Sequence, residues 1–216
     1  MKLANIIPVF KKGYQTCLSN YRPISLLSVF HKLLEKLMYN RLINFLENHD
    51  ILFDKQFGFR SKHNTDHAIL SKIQNSIEGR EYSCGIFLDF SKAFDTVNHR
   101  ILLKKLEHYG IRGIANEWFR SYLDNRQQIV IVNGVSSAKC STSCGIPQGS
   151  VLDPLLFLLH INDINISSKL YEFHLFANDA NLFSEHKSLQ HLQENINSEL
   201  INIHTGLCTV RLPLNT

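Results

Sequence analysis

The order of the predicted elements indicates an α+β fold built around an antiparallel sheet. Helical and strand patterns are grouped along the 216 residues instead of alternating regularly, and two pairs of strands are joined by short turns. Strands that follow each other through a tight turn pair antiparallel, whereas a doubly wound parallel sheet needs a crossover after every strand. The hydrophobic fraction of 44% is sufficient for a packed core.

The first third of the sequence predicts helices after a short hairpin. The stretch KKGYQTCLSNYRPIS is compatible with two short strands around a turn. Apolar residues recur at helical spacing from Leu26 to Leu46, which predicts a long amphipathic helix beginning after Pro23. A basic and aromatic loop, DKQFGFRSKH, follows. Thr65 is then expected to cap a helix whose inward face carries Ile69, Leu70, Ile73 and Ile77.

The middle of the chain predicts a strand, two helices and then a hairpin. SCGIFLDF is predicted to form a buried strand because it is short and contains aromatic and branched side chains. Helices are expected at about 98–109 and 113–123. The next strand, QQIVIV, ends at Asn133-Gly134, which is the strongest hairpin signal in the sequence.

The last third predicts the second hairpin. The turn GIPQGS precedes an apolar helix from about Ser150 to Ile164. Two strands, Leu170–Phe176 and Ala180–Phe183, are joined at Asn178-Asp179, and an amphipathic helix is expected from about Ser188 to Ile203.

Composition excludes several classes of protein. The net charge of +4 is mildly basic and compatible with a polyanion partner. The five cysteines are scattered and lack CxxC spacing, which argues against a disulfide framework or a zinc site. No apolar run reaches the roughly 20 residues of a membrane helix, and the N-terminus does not match a signal peptide. We therefore expect an intracellular protein, in the nucleus or cytoplasm, that is neither secreted nor membrane-bound.

Two aspartates at strand ends are the strongest candidates for chemistry. Asp89 closes an apolar strand, where a helix cap or an ion pair with Lys92 is an equally good explanation. Asp179 lies at a hairpin tip, where aspartate is an ordinary turn residue. If their strands are neighbours, however, the two carboxylates meet and provide the oxygen ligands that Mg²⁺ prefers.

Two further stretches suggest anion binding, although each has a simpler explanation. GIPQGS combines glycines with a helix N-terminus, and it equally suits a plain strand-to-helix turn. The basic residues Lys11, Lys12 and Arg22 are able to hold a triphosphate or a nucleic-acid backbone, yet basic loops are usually only solvated.

Six motifs together resemble one known family. In this order, they are IIPVFKKG, NYRPISLLSVFHKLLEKLMYNRL, QFGFR, FLDFSKAFDTVNH, GIPQGSVL and LFANDANLF. They are similar to the reverse transcriptase domain of non-LTR retrotransposons of the jockey-like LINE group, and the similarity covers nearly the whole chain. The resemblance implies a right-hand polymerase fold with a central antiparallel sheet, in which residues 1–80 form the fingers and 81–205 the palm. Residues 206–216 would begin a connection to a thumb that is missing, as in a truncated copy of such an element.

The resemblance also implies roles for individual residues. Asp89, Asp179 and the Phe90 carbonyl would bind two Mg²⁺ ions, and Phe94 would exclude a 2′-OH from the incoming sugar. The remaining positions implied to contact nucleotide or nucleic acid are Arg22, Lys11, Lys12, Gln148, Gly149 and Arg60. The partners would be an RNA template, a DNA primer and a dNTP, while the oligomeric state stays open.

The sequence departs from the family at four positions. Asn178 stands where the family has the first Asp of its catalytic ADD hairpin, and the loss of that charge is expected to slow catalysis roughly a hundredfold or more. Asp153, His160 and Gly206 stand where the family commonly has Gly, Tyr and Trp. Two hypotheses result, an impaired RNA-directed DNA polymerase or an inactive relic that at most binds nucleic acid. A two-metal nuclease or phosphatase is a distant third, since it would need neither triphosphate-binding fingers nor a sugar gate at Phe94.

Overall fold

A computed structural model describes residues 2–59 and 65–215, without the side chains of residues 65–69. The chain forms two compact units, each made of two separate stretches. Unit 1 contains Met1–Ile51 and Phe94–Leu159, and unit 2 contains Leu52–Ala93 and His160–Thr216. These units divide the chain differently from the predicted fingers and palm, whose assignment stays a prediction.

The described part of the chain contains both strands and helices, numbered here in chain order. The strands are β1 (Leu3–Phe10), β2 (Tyr21–Leu26), β3 (Tyr82–Asp89), β4 (Arg126–Val132), β5 (Val135–Ser136), β6 (Cys140–Thr142), β7 (Glu172–Phe176) and β8 (Asp179–His186). The α-helices are α1 (Val29–Asn48), α2 (Thr65–Glu78), α3 (His99–His108), α4 (Ile114–Leu123), α5 (Asp153–Ile161) and α6 (Leu189–Val210). The predicted α+β class is therefore confirmed. No helix in the described residues is both long and apolar enough to cross a bilayer.

Unit 1 contains a mixed sheet with the order β2-β1-β4-β5, and β6 pairs with β4. β1 runs antiparallel to β2 and parallel to β4. The predicted hairpin at Asn133-Gly134 is present between β4 and β5, and both turn residues have positive φ, at 50° and 80°. The core of the unit includes buried apolar side chains from four helices, namely Leu46, Leu102, Leu106, Phe119, Leu123, Leu155 and Phe157.

The first long helix begins later than predicted. Residues up to Leu26 belong to β2, and α1 starts only at Val29, after the Ser28 side chain accepts a hydrogen bond from the His31 N–H at 3.3 Å. The helical spacing before Val29 was misleading because β2 pairs along its whole length with β1. Pro8 and Pro23 lie opposite each other in this pair, at a position where neither residue has an N–H to donate.

The inward face predicted for α2 was wrong. Leu70, Ile73 and Ile77 are exposed by 64%, 46% and 72%, whereas Ser76 is buried. The side that packs is polar, since Lys72 forms ion pairs with Glu172 of β7 and Glu185 of β8. Charge pairing, rather than apolar burial, therefore orients this helix. The side chain of Ile69 lies outside the described residues.

Unit 2 contains an antiparallel sheet with the order β3-β8-β7. β3 was predicted to be a buried strand, but it lies at an edge of this order and its Phe87 is 67% exposed. Helix α6 packs on β3 and β8 through buried residues that include Ile203 and Leu207. It extends to Val210, beyond the predicted end at 203, so residues 206–210 are helical.

Two of the unusual residues are accommodated by close packing in unit 2. A Cβ at Gly206 would lie 2.7 Å from the Cβ of Ser167, which leaves no room for a larger residue without movement. His160 is fully buried, and its Nε2 donates to the Val210 carbonyl at 3.0 Å. Both residues therefore fit the local packing at the positions where the resembled family commonly has Trp and Tyr.

Candidate active site

The hairpin between β7 and β8 presents Asn178 and Asp179 at its tip. Phe176 and Asp179 are paired across a two-residue loop, Ala177-Asn178. Ala177 has a φ of 53°, in the left-handed region that costs a residue with a Cβ about 1 kcal/mol. The turn therefore holds Asn178 and Asp179 at the end of the two strands.

Gly58 packs directly against the backbone of this turn. A Cβ at Gly58 would overlap the backbone nitrogen of Ala177 and lie 2.9 Å from its Cα. The segment before Gly58 also bonds to β7, since the Phe57 N–H donates to the Leu175 carbonyl at 2.8 Å and the Leu175 N–H donates to the Lys55 carbonyl at 2.9 Å. The glycine of QFGFR therefore permits direct contact between two backbones, a role that the sequence did not reveal.

Asp89 and Asp179 face each other at the ends of adjacent strands. They are direct partners in the antiparallel register of β3 and β8. The Phe90 N–H donates to the Asn178 carbonyl at 3.2 Å, which continues the pairing one step beyond the strands. Opposite residues in such a pair have Cβ atoms about 5 Å apart, so both carboxylates are able to contact the same small cation. Both side chains are exposed.

Each of the two carboxylates accepts a hydrogen bond from an asparagine. Asn178 Nδ2 donates to Asp179 Oδ1 at 3.2 Å. Asn215 Nδ2 donates to Asp89 Oδ2 at 2.9 Å, from a segment to which the sequence assigned no function at this site. Both donors are neutral amides, so neither of them places a positive charge beside the carboxylates.

The donor set of this pair suits a hard divalent cation. The described residues contain no cluster of three or more His, Cys, Asp or Glu side chains placed to hold a metal. Mg²⁺, however, usually takes only one or two protein carboxylates together with water and substrate phosphates. Two opposed, exposed carboxylates at Asp89 and Asp179 meet that requirement, and a third carboxylate at position 178 would meet it better.

The residues that are predicted to bind a triphosphate lie at one end of the β1–β2 hairpin in unit 1. Arg22 pairs with Val9 in the register, and Lys11 and Lys12 follow β1 directly. All three basic side chains are exposed, and the Lys11 N–H donates to the Asn20 carbonyl at 2.8 Å to close the turn. The hairpin therefore places the three cations on one loop end.

The Gln148-Gly149 loop is attached to the strand that carries Arg22. The Ser25 N–H donates to the Gln148 carbonyl at 2.8 Å, and a Cβ at Gly149 would lie 3.4 Å from Ile24. Gly149 has a φ of 89°, which favours glycine. Gln148 Nε2 donates to Asp95 Oδ1 at 3.0 Å, so the side chain of Gln148 is oriented as well.

Contacts among Gly145, Asp95 and His99 fix the other end of this loop, a role that no sequence pattern indicated. Gly145 has a φ of 82°, and a Cβ there would lie 2.7 Å from the Asp95 carbonyl oxygen. His99 Nε2 donates to the Gly145 carbonyl at 2.7 Å. Phe94 belongs to the same segment, where its carbonyl accepts from the Ile146 N–H at 2.9 Å.

The ring of Phe94 rests on the core of unit 1. Its centroid lies 4.8 Å from that of the fully buried Phe157, while Phe94 itself is half-buried. Contact with this buried ring limits the motion of Phe94, as a residue that discriminates by steric clash requires. Arg60, the remaining candidate, lies outside the described residues.

Two buried acidic side chains, Asp153 and Glu35, accept hydrogen bonds from the backbone at the end of the GIPQGS loop. Asp153 is only 7% exposed, and burial raises its pKa to about 7, with a smaller contribution from the negative charges of Asp95 and Glu35. Glu35 accepts hydrogen bonds from the Tyr122 hydroxyl at 2.9 Å and from the Val151 N–H at 2.8 Å. Burial next to Glu35 also raises the pKa of Tyr122, which keeps that hydroxyl protonated as a donor.

Comparison with known proteins identifies the family of this α+β domain. The model of the reverse transcriptase (RNA-dependent DNA polymerase) family matches residues 9–206, so the chain belongs to that family. It is 36% identical over 76% of its length to a protein described as a probable RNA-directed DNA polymerase from transposon BS of Drosophila melanogaster. It is 32% identical over 87% of its length to the RNA-directed DNA polymerase from mobile element jockey of the same species.

The chain spans 18% and 22% of the lengths of these two relatives. A solved structure, apo telomerase from Candida tropicalis truncated from its C-terminal domain, aligns with 93% of the chain at a TM-score of 0.61 and 11% identity. That similarity confirms the reverse transcriptase-like α+β fold. The relatives confirm the resemblance to a domain of LINE-like elements.

Proposed function

We propose that this chain is an RNA-directed DNA polymerase domain that transfers a nucleotide from a dNTP to a primer 3′-OH. The observation that carries the proposal is the register pairing of Asp89 with Asp179. The two carboxylates are exposed and opposite each other, and a shared cation would relieve the repulsion between them. Membership of the reverse transcriptase family supports the same conclusion.

Asp89, Asp179 and the Phe90 carbonyl would hold Mg²⁺. The Phe90 N–H points toward the hairpin, where it bonds to Asn178, and in an antiparallel ladder the carbonyl of the same residue points to the same side. Bound divalent cations would neutralise charge on the attacking hydroxyl and on the leaving pyrophosphate. The contribution of the chain is to hold these oxygen ligands in fixed positions on neighbouring strands.

The unit 1 residues would bind and select the nucleotide. Arg22, with help from Lys11 or Lys12, would hold the triphosphate through charge-assisted hydrogen bonds. Phe94 would lie beneath the sugar and reject a 2′-OH, and its contact with Phe157 would prevent the ring from yielding. The Gln148-Gly149 loop, fixed through Asp95 and Ser25, would pack against the incoming nucleotide.

Asn178 favours a second candidate function, a catalytically inactive domain that binds nucleic acid. Its side chain supplies no negative charge, and its Nδ2 donates to Asp179, which occupies part of the acceptor capacity of that carboxylate. A loss of a few kcal/mol of cation stabilisation corresponds to roughly a hundredfold or more in rate. Template and primer would still bind through their phosphates to basic residues, with an affinity that falls as salt rises.

The test is primer extension on an RNA template with Mg²⁺, using the chain and its Asn178→Asp and Asp89→Asn variants, each with and without an appended thumb domain. We expect slow extension by the chain, extension about a hundredfold faster or more by Asn178→Asp, and none by Asp89→Asn. Equal rates for the chain and Asn178→Asp would contradict the impairment. If all variants are silent but bind the template–primer duplex, the inactive binding domain is the correct function.

A further inference from the structure

The chain turns back toward β3 after the last helix. Arg211 ends α6 with a φ of 58°, and its N–H donates to the carbonyls of Cys208 and Leu207. Leu212 follows with a hydrogen bond from its N–H to the Leu207 carbonyl at 2.9 Å, and its side chain is 3% exposed. This left-handed cap and the buried leucine fix the direction of the residues beyond.

Those residues add a short strand beside the end of β3. Phe90 and Leu214 form an antiparallel bridge. The Ser91 N–H donates to the Pro213 carbonyl at 3.0 Å, and the Asn215 N–H donates to the Asp89 carbonyl at 2.9 Å. Two backbone hydrogen bonds therefore hold Asn215 directly beside Asp89, independently of its side chain.

The Asn215 side chain makes one more contact, with the Asp89 carboxylate itself. Nδ2 donates to Oδ2 at 2.9 Å. We propose that Asn215 is a positioning residue that orients the Asp89 carboxylate toward the divalent cation; this rests on the proposed role of Asp89 as a metal ligand. Asn215 touches neither the cation nor the nucleotide in this assignment, and it acts only through Asp89.

The chemistry of an amide donor suits this task. A carboxylate has about four acceptor positions, so one hydrogen bond to Oδ2 leaves the others available to a cation. A neutral donor fixes the rotation of the carboxylate and leaves its charge intact, whereas a lysine or arginine at this position would compete with the cation. Outer-shell partners of this kind typically contribute ten- to hundredfold to metal affinity.

Another asparagine in unit 2, Asn202, provides a matched control. Asn202 Nδ2 donates to Glu199 Oε1 at 3.1 Å, an exposed amide–carboxylate contact within α6. Asn202→Ala removes the same chemical group as Asn215→Ala from a position that has no part in the site. The Asn215→Ala variant keeps its backbone N–H, so the added strand is retained.

The first measurement is Mn²⁺ affinity by water-proton relaxation, for the chain and for its Asn215→Ala, Asn202→Ala and Asp89→Asn variants. We expect Asn215→Ala to weaken Mn²⁺ binding about ten- to hundredfold, Asn202→Ala to leave it unchanged, and Asp89→Asn to abolish it. Unchanged affinity in Asn215→Ala together with lost affinity in Asp89→Asn would overturn the positioning role alone. Unchanged affinity in Asp89→Asn would show that the metal site is wrong, and the positioning role would fall with it.

The second measurement needs no metal. In ¹⁵N NMR spectra of the metal-free chain, the side-chain amide of Asn215 should be shifted by its bond to Asp89 and should move in Asp89→Asn, while the Asn202 amide stays in place. An Asn215 amide that does not respond to Asp89→Asn would overturn the proposal. The Asn215→Ala variant should also have the same melting temperature as Asn202→Ala. If Asn215 only stabilised the fold, its replacement would lower the melting temperature below that of Asn202→Ala.

Discussion

Burial of Asp153 should make the free energy of unfolding of the chain fall as pH rises, and Asp153→Asn should remove this contribution. Among the described residues, its buried Oδ1 has no hydrogen-bond partner, and Oδ2 accepts a long bond of 3.4 Å from the Gly149 N–H. Burial, together with repulsion from Asp95 and Glu35, raises its pKa from 3.8 to about 7. Between these two values the folded state binds more protons than the unfolded state, so stability falls as pH rises.

The size of the effect follows from the two pKa values. One pKa unit corresponds to about 1.4 kcal/mol, so raising the pH from 5 to 8 should lower the free energy of unfolding by about 2–3 kcal/mol through Asp153. Urea unfolding of the chain and of Asp153→Asn at pH 5, 6, 7 and 8 measures this difference directly.

The comparison between variants is needed because His31 acts in the opposite direction. Burial lowers its pKa, despite the opposing charge of Glu35, so its own contribution to stability rises with pH. Asp153→Asn keeps that contribution, and the difference between the two proteins isolates Asp153. If the two pH profiles run parallel, Asp153 does not titrate in this window and the burial argument is refuted.

Three further outcomes test the site. Gly58→Ala should lower the free energy of unfolding by about 1–3 kcal/mol because its Cβ overlaps the Ala177 backbone, whereas Gly79→Ala, whose Cβ would approach no atom closer than 3.2 Å, serves as the milder control in the same urea titration. In the Asn178→Asp background, Phe94→Val should reduce the preference for dNTP over NTP, measured as the ratio of kcat/KM values; an unchanged ratio argues against a sugar gate. Without metal, Asn178→Asp should have a lower melting temperature than the parent chain, since three clustered carboxylates repel each other until a cation binds. Addition of Mg²⁺ should then raise the melting temperature of Asn178→Asp by more than it raises that of the parent chain. Equal increases in the two proteins would contradict the proposed site.

Local patterns predicted the elements well where local forces decide them. The helices α3 and α4 and the Asn133-Gly134 turn lie where periodicity and turn chemistry placed them. The errors occur where distant pairing decides. β2 is a strand because β1 lies beside it, and α2 presents Lys72 to its neighbours because two glutamates from later strands attract it.

The same distinction applies to the candidate site. Asp89 and Asp179 were identifiable because a carboxylate at the end of an apolar strand is locally anomalous. Gly58 and Asn215 were not, because their sequence neighbourhoods are ordinary and their importance arises from contacts with Ala177 and Asp89 in other parts of the chain. A close backbone approach leaves no signal in sequence beyond the glycine itself.

The interleaved composition of the two units has a consequence for the order of folding. Each unit needs residues from both halves of the chain, and the pairing of Asp89 with Asp179 closes a loop of about 90 residues, which costs on the order of 4 kcal/mol in chain entropy. Such long-range pairing slows folding and leaves β3 without its partner until β8 has been synthesised. A nascent chain that ends before β8 therefore contains Asp89 but cannot form the carboxylate pair, and the site is among the last features of the domain to form.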